Sequence, residues 1–168
     1  MTAAIGLTVA ACAVATYFDV RARRIPNWLT GLLAAGALAV NGSLGLRVFL
    51  LSIAVMAVIM LLGTLLYSRG GVGGGDIKLA AAASGALSFP LCISFLLYTA
   101  IGGGLLAIGF IIVRGSARQS LARAAVMATG GAGAVTKSQS LPYAAAFTFG
   151  AILIALSQTV APFLRILK

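Results

Sequence analysis

Residues 48–68 read VFLLSIAVMAVIMLLGTLLYS, a run without a single charged side chain. A helix of about 20 apolar residues crosses the hydrocarbon core of a bilayer, so this run predicts a transmembrane helix. After Arg69 the chain continues as GGVGGGDIKL at 70–79, where five glycines precede Asp76. Asp76 and Asp19 are the only 2 acidic side chains among the 168 residues. The apolar run indicates the fold class, and the carboxylate that follows it needs a separate explanation.

The composition extends the membrane interpretation to the whole chain. Hydrophobic residues make up 61% of the sequence and charged residues 8%, and the mean hydropathy is +1.12. A soluble domain has about a quarter of its residues charged, so this chain lacks the polar side chains that would cover a surface in water. We expect an all-α polytopic membrane protein with about six transmembrane helices, forming a single domain over residues 1–168.

Charge-free stretches separated by turn signals predict where the helices lie. The longest charge-free stretch, residues 79–113, is too long for one helix. We divide it at SFP, residues 88–90, because proline starts helices better than it continues them. The fourth helix is then only about 18 Å long, too short to cross a bilayer alone. Residues 114–141 are expected to form a surface helix and a loop. The predicted helices cover residues 2–18, 28–40, 48–68, 77–88, 91–113 and 142–160, with NGS at 41–43 as the turn after the second helix and GGG at 102–104 as a point of close helix approach.

The basic residues predict an orientation in the membrane. The net charge is +10, but the 12 basic residues lie singly or in small groups between apolar runs. That distribution is typical of the positive-inside rule and argues against nucleic-acid binding. With the N-terminus outside, the loops on one side hold most of them, which places those loops in the cytoplasm and both aspartates at the cytoplasmic face. The cytoplasmic set is Arg21, Arg23, Arg24, Arg69, Lys78, Arg114, Arg118, Arg123 and Lys137, and the opposite set is Arg47, Arg165 and Lys168.

The two cysteines give no sign of a metal or redox site. Cys12 and Cys92 are far apart, each lies within an apolar run, and neither belongs to a CxxC pair. We interpret them as small buried hydrophobic residues. We predict a protein that uses neither a metal ion nor an organic cofactor.

A carboxylate at membrane depth is costly, and the two aspartates admit three interpretations. In the first they are interfacial caps: Asp76 caps the fourth helix, and Asp19 pairs with Arg21 or Arg23. In the second they form a proton relay in a small proton-coupled transporter. In the third they are a protease dyad, in which two close carboxylates share one proton and activate water against a peptide bond.

The glycine run favours the third interpretation. Five glycines are more than a helix cap needs, and residues without side chains let another backbone come close. A protease that cuts an extended peptide needs such an opening beside its acid. A glycine-rich run before a helix also suits phosphate, but Asp76 would repel an anion and the lysine spacing of a P-loop is absent.

Three motifs carry a family resemblance. Residues 73–76, GGGD, fit the GxGD signature of membrane-embedded aspartyl proteases, and GGGDIKLAAAASG at 73–85 resembles the form found in type IV prepilin leader peptidases. Asp19 followed by VRARRIPNWL resembles that family's first motif, in which the catalytic aspartate precedes Ile-Pro-Asn by a short basic stretch. LPYAAAFTFGAILIAL at 141–156 resembles its last helix. Presenilin-like proteases also carry GxGD, but the Ile-Pro-Asn sequence argues against them.

The resemblance, which runs from about residue 10 to residue 156, implies roles for individual residues. Asp19 and Asp76 are expected to be the catalytic pair of an aspartic endopeptidase. Lys78 either holds the loop or biases the charge of the dyad, and an ordinary interfacial lysine is an equal alternative. The positions expected to shape the substrate site and its loops are Gly73, Gly75, Lys78, Pro26 and Asn27.

The resemblance also implies a substrate and a location. Long members of the family carry an N-terminal methyltransferase segment with paired cysteines, and this sequence has no CxxC. It therefore resembles the short type associated with tight-adherence (Flp) pili, expected to cleave prepilins without methylating them. Such prepilins have a basic leader that ends in glycine before the scissile bond. The expected location is the inner membrane of a bacterium, with lipid around the helices and the site facing the cytoplasm.

Overall fold

The described part of the chain forms six α-helices. The computed structural model describes residues 2–69, 72–114 and 143–166. These residues contain no strand, which confirms the predicted all-α class. The surface helix and loop expected over 114–141 lie outside the described residues, apart from Arg114. The helices are α1 (Thr2–Ala22), α2 (Asn27–Ser43), α3 (Leu46–Ser68), α4 (Gly74–Leu87), α5 (Leu91–Arg114) and α6 (Ala144–Ile166).

The helices differ in their ability to cross a bilayer. Within the described residues, α1, α3 and the Leu91–Gly109 part of α5 are long and apolar enough to span, and α6 contributes the shorter apolar stretch Ala144–Thr159. α2 has 17 residues and α4 has 14, which is about 26 Å and about 21 Å at 1.5 Å per residue. Each of the six segments predicted as a span forms a helix in the described residues. Three of these helices are long and apolar enough to cross a membrane.

Helix α4 lies at the centre of the bundle. It packs against α1, α2, α3 and α5, while α6 packs against α1 and α5. Nine of the residues of α4 are buried, six of them alanine, serine or glycine, and these small residues let four neighbouring helices come close. Helix α3 is the opposite case, because only Ser52 among its 23 residues is buried. Its exposed leucine, isoleucine and valine side chains suit contact with lipid tails, which are as apolar as they are.

Glycines mark the closest approaches between helices. Gly63 faces Ile77 and Gly85 faces Met56, so that α3 and α4 leave no room for a Cβ at either glycine. In α5, a Cβ on Gly102 would lie 2.6 Å from Cδ1 of Phe149 in α6, whereas a Cβ on Gly104 would meet nothing within 4 Å. The GGG sequence therefore contributes a close approach to α6, as predicted, but not through all three of its residues.

A buried polar cluster closes the C-terminal end of α4. The side-chain nitrogen of Asn41 in α2 donates to the carbonyl oxygens of Gly85 at 3.0 Å and Ala86 at 3.2 Å, and to Ser52 Oγ at 2.9 Å. Ser52 Oγ in turn donates to the Gly85 carbonyl. The last carbonyls of a helix lack partners within the helix, and in lipid they must find donors elsewhere. Residues 41–43, expected to be a turn, instead form the last residues of α2, because Asn41 is held by these contacts.

Candidate active site

Asp76 lies in the first turn of α4, and the glycines before it determine its surroundings. The helix begins at Gly74, with Gly73 as the N-cap residue in an extended conformation. The prediction that it begins at residue 77 was wrong, because the last two glycines of the run are helical. A Cβ on Gly73 would lie 2.8 Å from Oδ2 of Asp76, so the carboxylate occupies the space that a side chain there would fill.

Gly75 allows α4 to begin close to the connection between α1 and α2. A Cβ on Gly75 would lie 3.3 Å from Cβ of Ile25, which is tighter than most contacts of real Cβ atoms. Gly74 differs, since a Cβ there would make an ordinary contact of 3.7 Å with Tyr67. Two of the glycines therefore lie against specific neighbours: Gly73 against Asp76 of the predicted catalytic pair, and Gly75 against Ile25, which precedes the predicted site residues Pro26 and Asn27.

Asp19 lies in the last turn of α1 and reaches across to α6. Its Oδ2 accepts a hydrogen bond of 3.2 Å from the backbone N–H of Ala144, the first residue of α6. Its carbonyl oxygen accepts from the N–H of Arg23 at 2.9 Å. Arg23 has φ of 49°, the left-handed conformation that commonly ends a helix. The chain therefore turns away four residues after Asp19 and leaves its carboxylate at the end of the helix.

Pro26, Asn27 and Lys78 join the beginnings of α2 and α4. Pro26 is the N-cap residue of α2, and its carbonyl oxygen accepts from the N–H groups of Leu29 at 3.2 Å and Thr30 at 3.5 Å. Proline suits this place because its fixed φ matches the helix start and no N–H is needed there. Lys78 Nζ donates to Asn27 Oδ1 at 2.9 Å. This hydrogen bond connects two of the sequence motifs across the site.

The surroundings of Asp76 change its affinity for a proton. Asp76 lies in the short helix α4, outside the candidate spans. Burial raises the pKa of Asp76 from 3.8 to about 6, and the negative charge of Asp19 contributes in the same direction. The two carboxylates are thus near enough to repel each other, and Asp76 holds a proton at pH values where an exposed aspartate has lost it.

The cap interpretation of the acids fits only one of them. The N-cap of α4 is Gly73, and Asp76 stands three residues further on. Asp19 was expected to pair with Arg21 or Arg23, but Arg21 donates to the hydroxyl of Tyr17 and stacks over its ring. Asp19 does cap a helix, namely α6. Sequence reasoning missed this partner, because the two residues lie 125 positions apart and a backbone amide leaves no signature in a sequence.

The described residues offer little beyond these two acids for catalysis. Residues 2–69, 72–114 and 143–166 contain no group of three histidine, cysteine, aspartate or glutamate side chains that could hold a metal ion. Cys12 and Cys92 are buried free thiols. Two neighbouring carboxyl groups can act as a general acid and a general base on one substrate.

The fold and the site together define a class: an α-helical membrane protein with a pair of carboxyl groups between packed helix ends. The type IV leader peptidase family matches residues 6–108, a segment that includes both acids and the glycine run. The chain belongs to this family, which confirms the resemblance seen in the sequence. Membership supports a peptidase activity on prepilin leaders. No curated protein and no solved structure matches the chain.

Proposed function

We propose that this protein is a membrane-embedded aspartic endopeptidase that removes the leader peptides of prepilins, with Asp19 and Asp76 as its catalytic pair. The observation that carries the proposal is that the only 2 acidic side chains of the chain lie near enough to interact electrostatically. They come from different helices, and the charge of Asp19 raises the pKa of Asp76. If the two acids had no joint role, there would be no reason for them to lie close to each other in so apolar a protein.

In the proposed reaction the two carboxyl groups share one proton. The ionised carboxylate takes a proton from a water molecule, whose oxygen bonds to the carbonyl carbon of the scissile peptide bond. The protonated carboxyl gives its proton to the carbonyl oxygen, so no full negative charge develops there. Proton transfer to the peptide nitrogen then breaks the C–N bond, and the pair returns to its starting state with one proton.

The glycine run supports access of an extended substrate. Gly73 is exposed and carries no side chain beside the Asp76 carboxylate. A peptide backbone can therefore approach the acid from the side of the 72–74 segment. The hydrogen bond between Lys78 and Asn27 supports a role in holding α2 and α4 in register around this opening.

The substrate class rests on the resemblance to the short members of the family. We propose a prepilin of the Flp type, with a basic leader that ends in glycine and is followed by an apolar helix. The positive-inside distribution supports a site at the cytoplasmic face of the inner membrane of a bacterium. The basic residues of that face do not attract a basic leader, and anionic lipid is the better partner for them.

The test is cleavage of a co-expressed Flp-type prepilin, scored by its change in size. Wild type is compared with Asp19→Asn and Asp76→Asn, since asparagine keeps the shape of aspartate but cannot exchange a proton at neutral pH. We expect each variant to lose about 10²-fold or more of the cleavage rate, the scale of general acid–base catalysis. Gly31→Ala is the control, because a Cβ there meets nothing within 4 Å.

Each variant must also be found in the membrane at the level of wild type. Normal cleavage by both asparagine variants would contradict the dyad and leave the acids as caps. Absence of cleavage by wild type, together with acid-dependent transport that both variants lose, would favour the relay of a transporter instead.

A further inference from the structure

Two hydroxyl groups connect α1 to α6 next to Asp19. Oγ1 of Thr16 and Oγ1 of Thr148 lie 2.7 Å apart. The Thr16 hydroxyl is also 3.0 Å from the carbonyl oxygen of Cys12 in its own helix. The Thr148 hydroxyl is 3.2 Å from the carbonyl oxygen of Ala144 in the same way. Because each hydroxyl has one proton, one of the pair donates to the other across the interface while the second can donate within its own helix.

This hydroxyl pair lies beside the contact that Asp19 itself makes. Thr16 comes three residues before Asp19, and Thr148 comes four residues after Ala144. The N–H of Ala144 donates to Oδ2 of Asp19 at 3.2 Å. Residues three or four apart share one face of a helix, so the two contacts lie on the same facing surfaces, one turn apart. In the described part of the chain, side-chain hydrogen bonds join α1 and α6 only at this end of the interface.

Helix α6 is itself packed closely against α5. The rings of Phe95 and Phe147 lie with their centroids 6.2 Å apart, and Phe95 is fully buried. A Cβ on Gly150 would lie 3.1 Å from the carbonyl oxygen of Phe95 and 3.0 Å from the backbone nitrogen of Thr99. The two backbones therefore approach each other directly, and α6 offers α1 a fixed surface.

The end of α1 needs such a support. Asp19 lies in the last turn of this helix, which ends at Ala22, and the chain leaves the helical conformation at Arg23. The last turn of a helix frays more readily than its middle. A link at Thr16 holds the turn that leads into Asp19, and the Ala144 amide meets the carboxyl group itself.

We propose that Thr148, acting through Thr16, is a positioning residue for the carboxyl group of Asp19. The hydroxyl pair holds the last turn of α1 against α6 and thereby determines where Asp19 meets the substrate. This inference rests on the proposed function and deepens it. A polar link between membrane helices that only adds stability would leave the rate constant of each folded molecule unchanged, so kinetics distinguish the two roles.

The test is the kinetics of prepilin cleavage by a valine variant, because valine has nearly the shape of threonine and lacks the hydroxyl. Thr148→Val should lower kcat by about 10- to 100-fold, the scale of effect when a reacting group moves by up to about 1 Å. KM should stay within about twofold, since the lost contact is not with the substrate. Each kcat is expressed per folded enzyme, taken as the monodisperse fraction in detergent. Thr148→Ser keeps the hydroxyl and should restore kcat.

A double-mutant cycle tests whether the two hydroxyl groups act together. Thr16→Val should reproduce the loss of kcat, and the double valine variant should be no slower than either single variant, because both substitutions break one bond. Thr159→Val is the matched control in the same helix. The Thr159 side chain is exposed, and its hydroxyl donates to the carbonyl oxygen of Leu156 at 2.8 Å. This control should keep the wild-type kcat.

The outcomes separate the two proposals. If Asp19→Asn and Asp76→Asn cleave normally, the dyad itself is wrong. If both fail to cleave but Thr148→Val keeps the wild-type kcat per folded enzyme, the dyad stands and the positioning role is wrong. Additive losses in the double valine variant, or a loss that Thr148→Ser does not restore, would overturn the positioning role as well. If Thr148→Val does not fold, Thr16→Val breaks the same bond from α1 and decides in the same way.

Discussion

Gly73 has no Cβ, and the Asp76 carboxylate lies in the space that a Cβ would take. Only 2.8 Å would separate such a Cβ from Oδ2, so any other residue at this position displaces one of the two groups. The neighbouring glycine has no such constraint, because a Cβ on Gly74 meets Tyr67 at an ordinary 3.7 Å. The glycine run therefore contains one position that is tied to the chemistry and one that is not.

This difference gives a matched pair of variants. Gly73→Ala should reduce the cleavage rate by about 10²-fold, because a shift of about 1 Å in a reacting group has effects of that size. Gly74→Ala should stay close to wild type, although both variants add the same methyl group to adjacent residues. The measurement is the initial rate of prepilin cleavage in membranes with equal amounts of enzyme. Equal losses in both variants would show that the loop, and not the carboxylate, responds to the added methyl group.

At the scale of helices, the sequence was informative wherever charge and proline interrupt apolar runs. The boundary between α4 and α5 falls at residues 88–90, as the proline predicted, since α4 ends at Leu87 and α5 begins at Leu91. It was misleading where tertiary contacts override local preference. Asn41 belongs to a sequence typical of a turn, but its side chain satisfies the end of α4, and α2 continues to Ser43.

The contacts of Asn41 predict a stability effect. The double substitution Asn41→Leu and Ser52→Ala removes the side-chain donors of the buried Gly85 and Ala86 carbonyls. The Gly85 carbonyl keeps the N–H of Ser88 at 3.2 Å, so the Ala86 carbonyl loses most. An unsatisfied buried group costs about 1–3 kcal/mol, and the free energy of unfolding should fall by that amount. The measurement is the thermal unfolding midpoint in detergent.

Ser43→Ala is the control for this effect. Ser43 is exposed and bonds only to the carbonyl of Val40 in its own helix. Its substitution should leave the midpoint within error of wild type. A double variant as stable as Ser43→Ala would show that the cluster contributes nothing to stability.

At the scale of the whole molecule, the site is assembled from parts that are distant in the chain. α1 supplies Asp19, α4 supplies Asp76, and α6 supplies the amide of Ala144. The sequence predicted both acids as candidates, because the chain contains only 2 and each lies in a recognisable motif. It gave no access to the third contributor, since the pairing of α1 with α6 depends on the packing of the whole bundle around α4.

The site should also make the stability of the whole protein depend on pH. Because its pKa is raised from 3.8 to about 6, Asp76 binds its proton more tightly in the folded protein than in the unfolded chain. Its contribution to the free energy of unfolding is therefore full below about pH 4 and is lost as the pH rises through about 6.

Asp76→Asn should remove this dependence. The thermal midpoint of wild type should fall between about pH 4.5 and about pH 7 by more than that of the variant, which should be the more stable of the two at about pH 7. Gly31→Ala should keep the wild-type difference, since a Cβ there enters open space. Parallel pH curves for wild type and Asp76→Asn would contradict the prediction.

The half-buried Asp76 beside its glycines has a practical consequence for reagents. Hydrophobic carbodiimides dissolve in lipid and react with neutral carboxyl groups rather than with carboxylates. Asp76, whose pKa is raised from 3.8 to about 6, thus presents a neutral carboxyl group to such a reagent at pH values below about 6. One covalent adduct per molecule would then count the copies of the protein whose two acids are correctly assembled, in a native membrane and without any substrate.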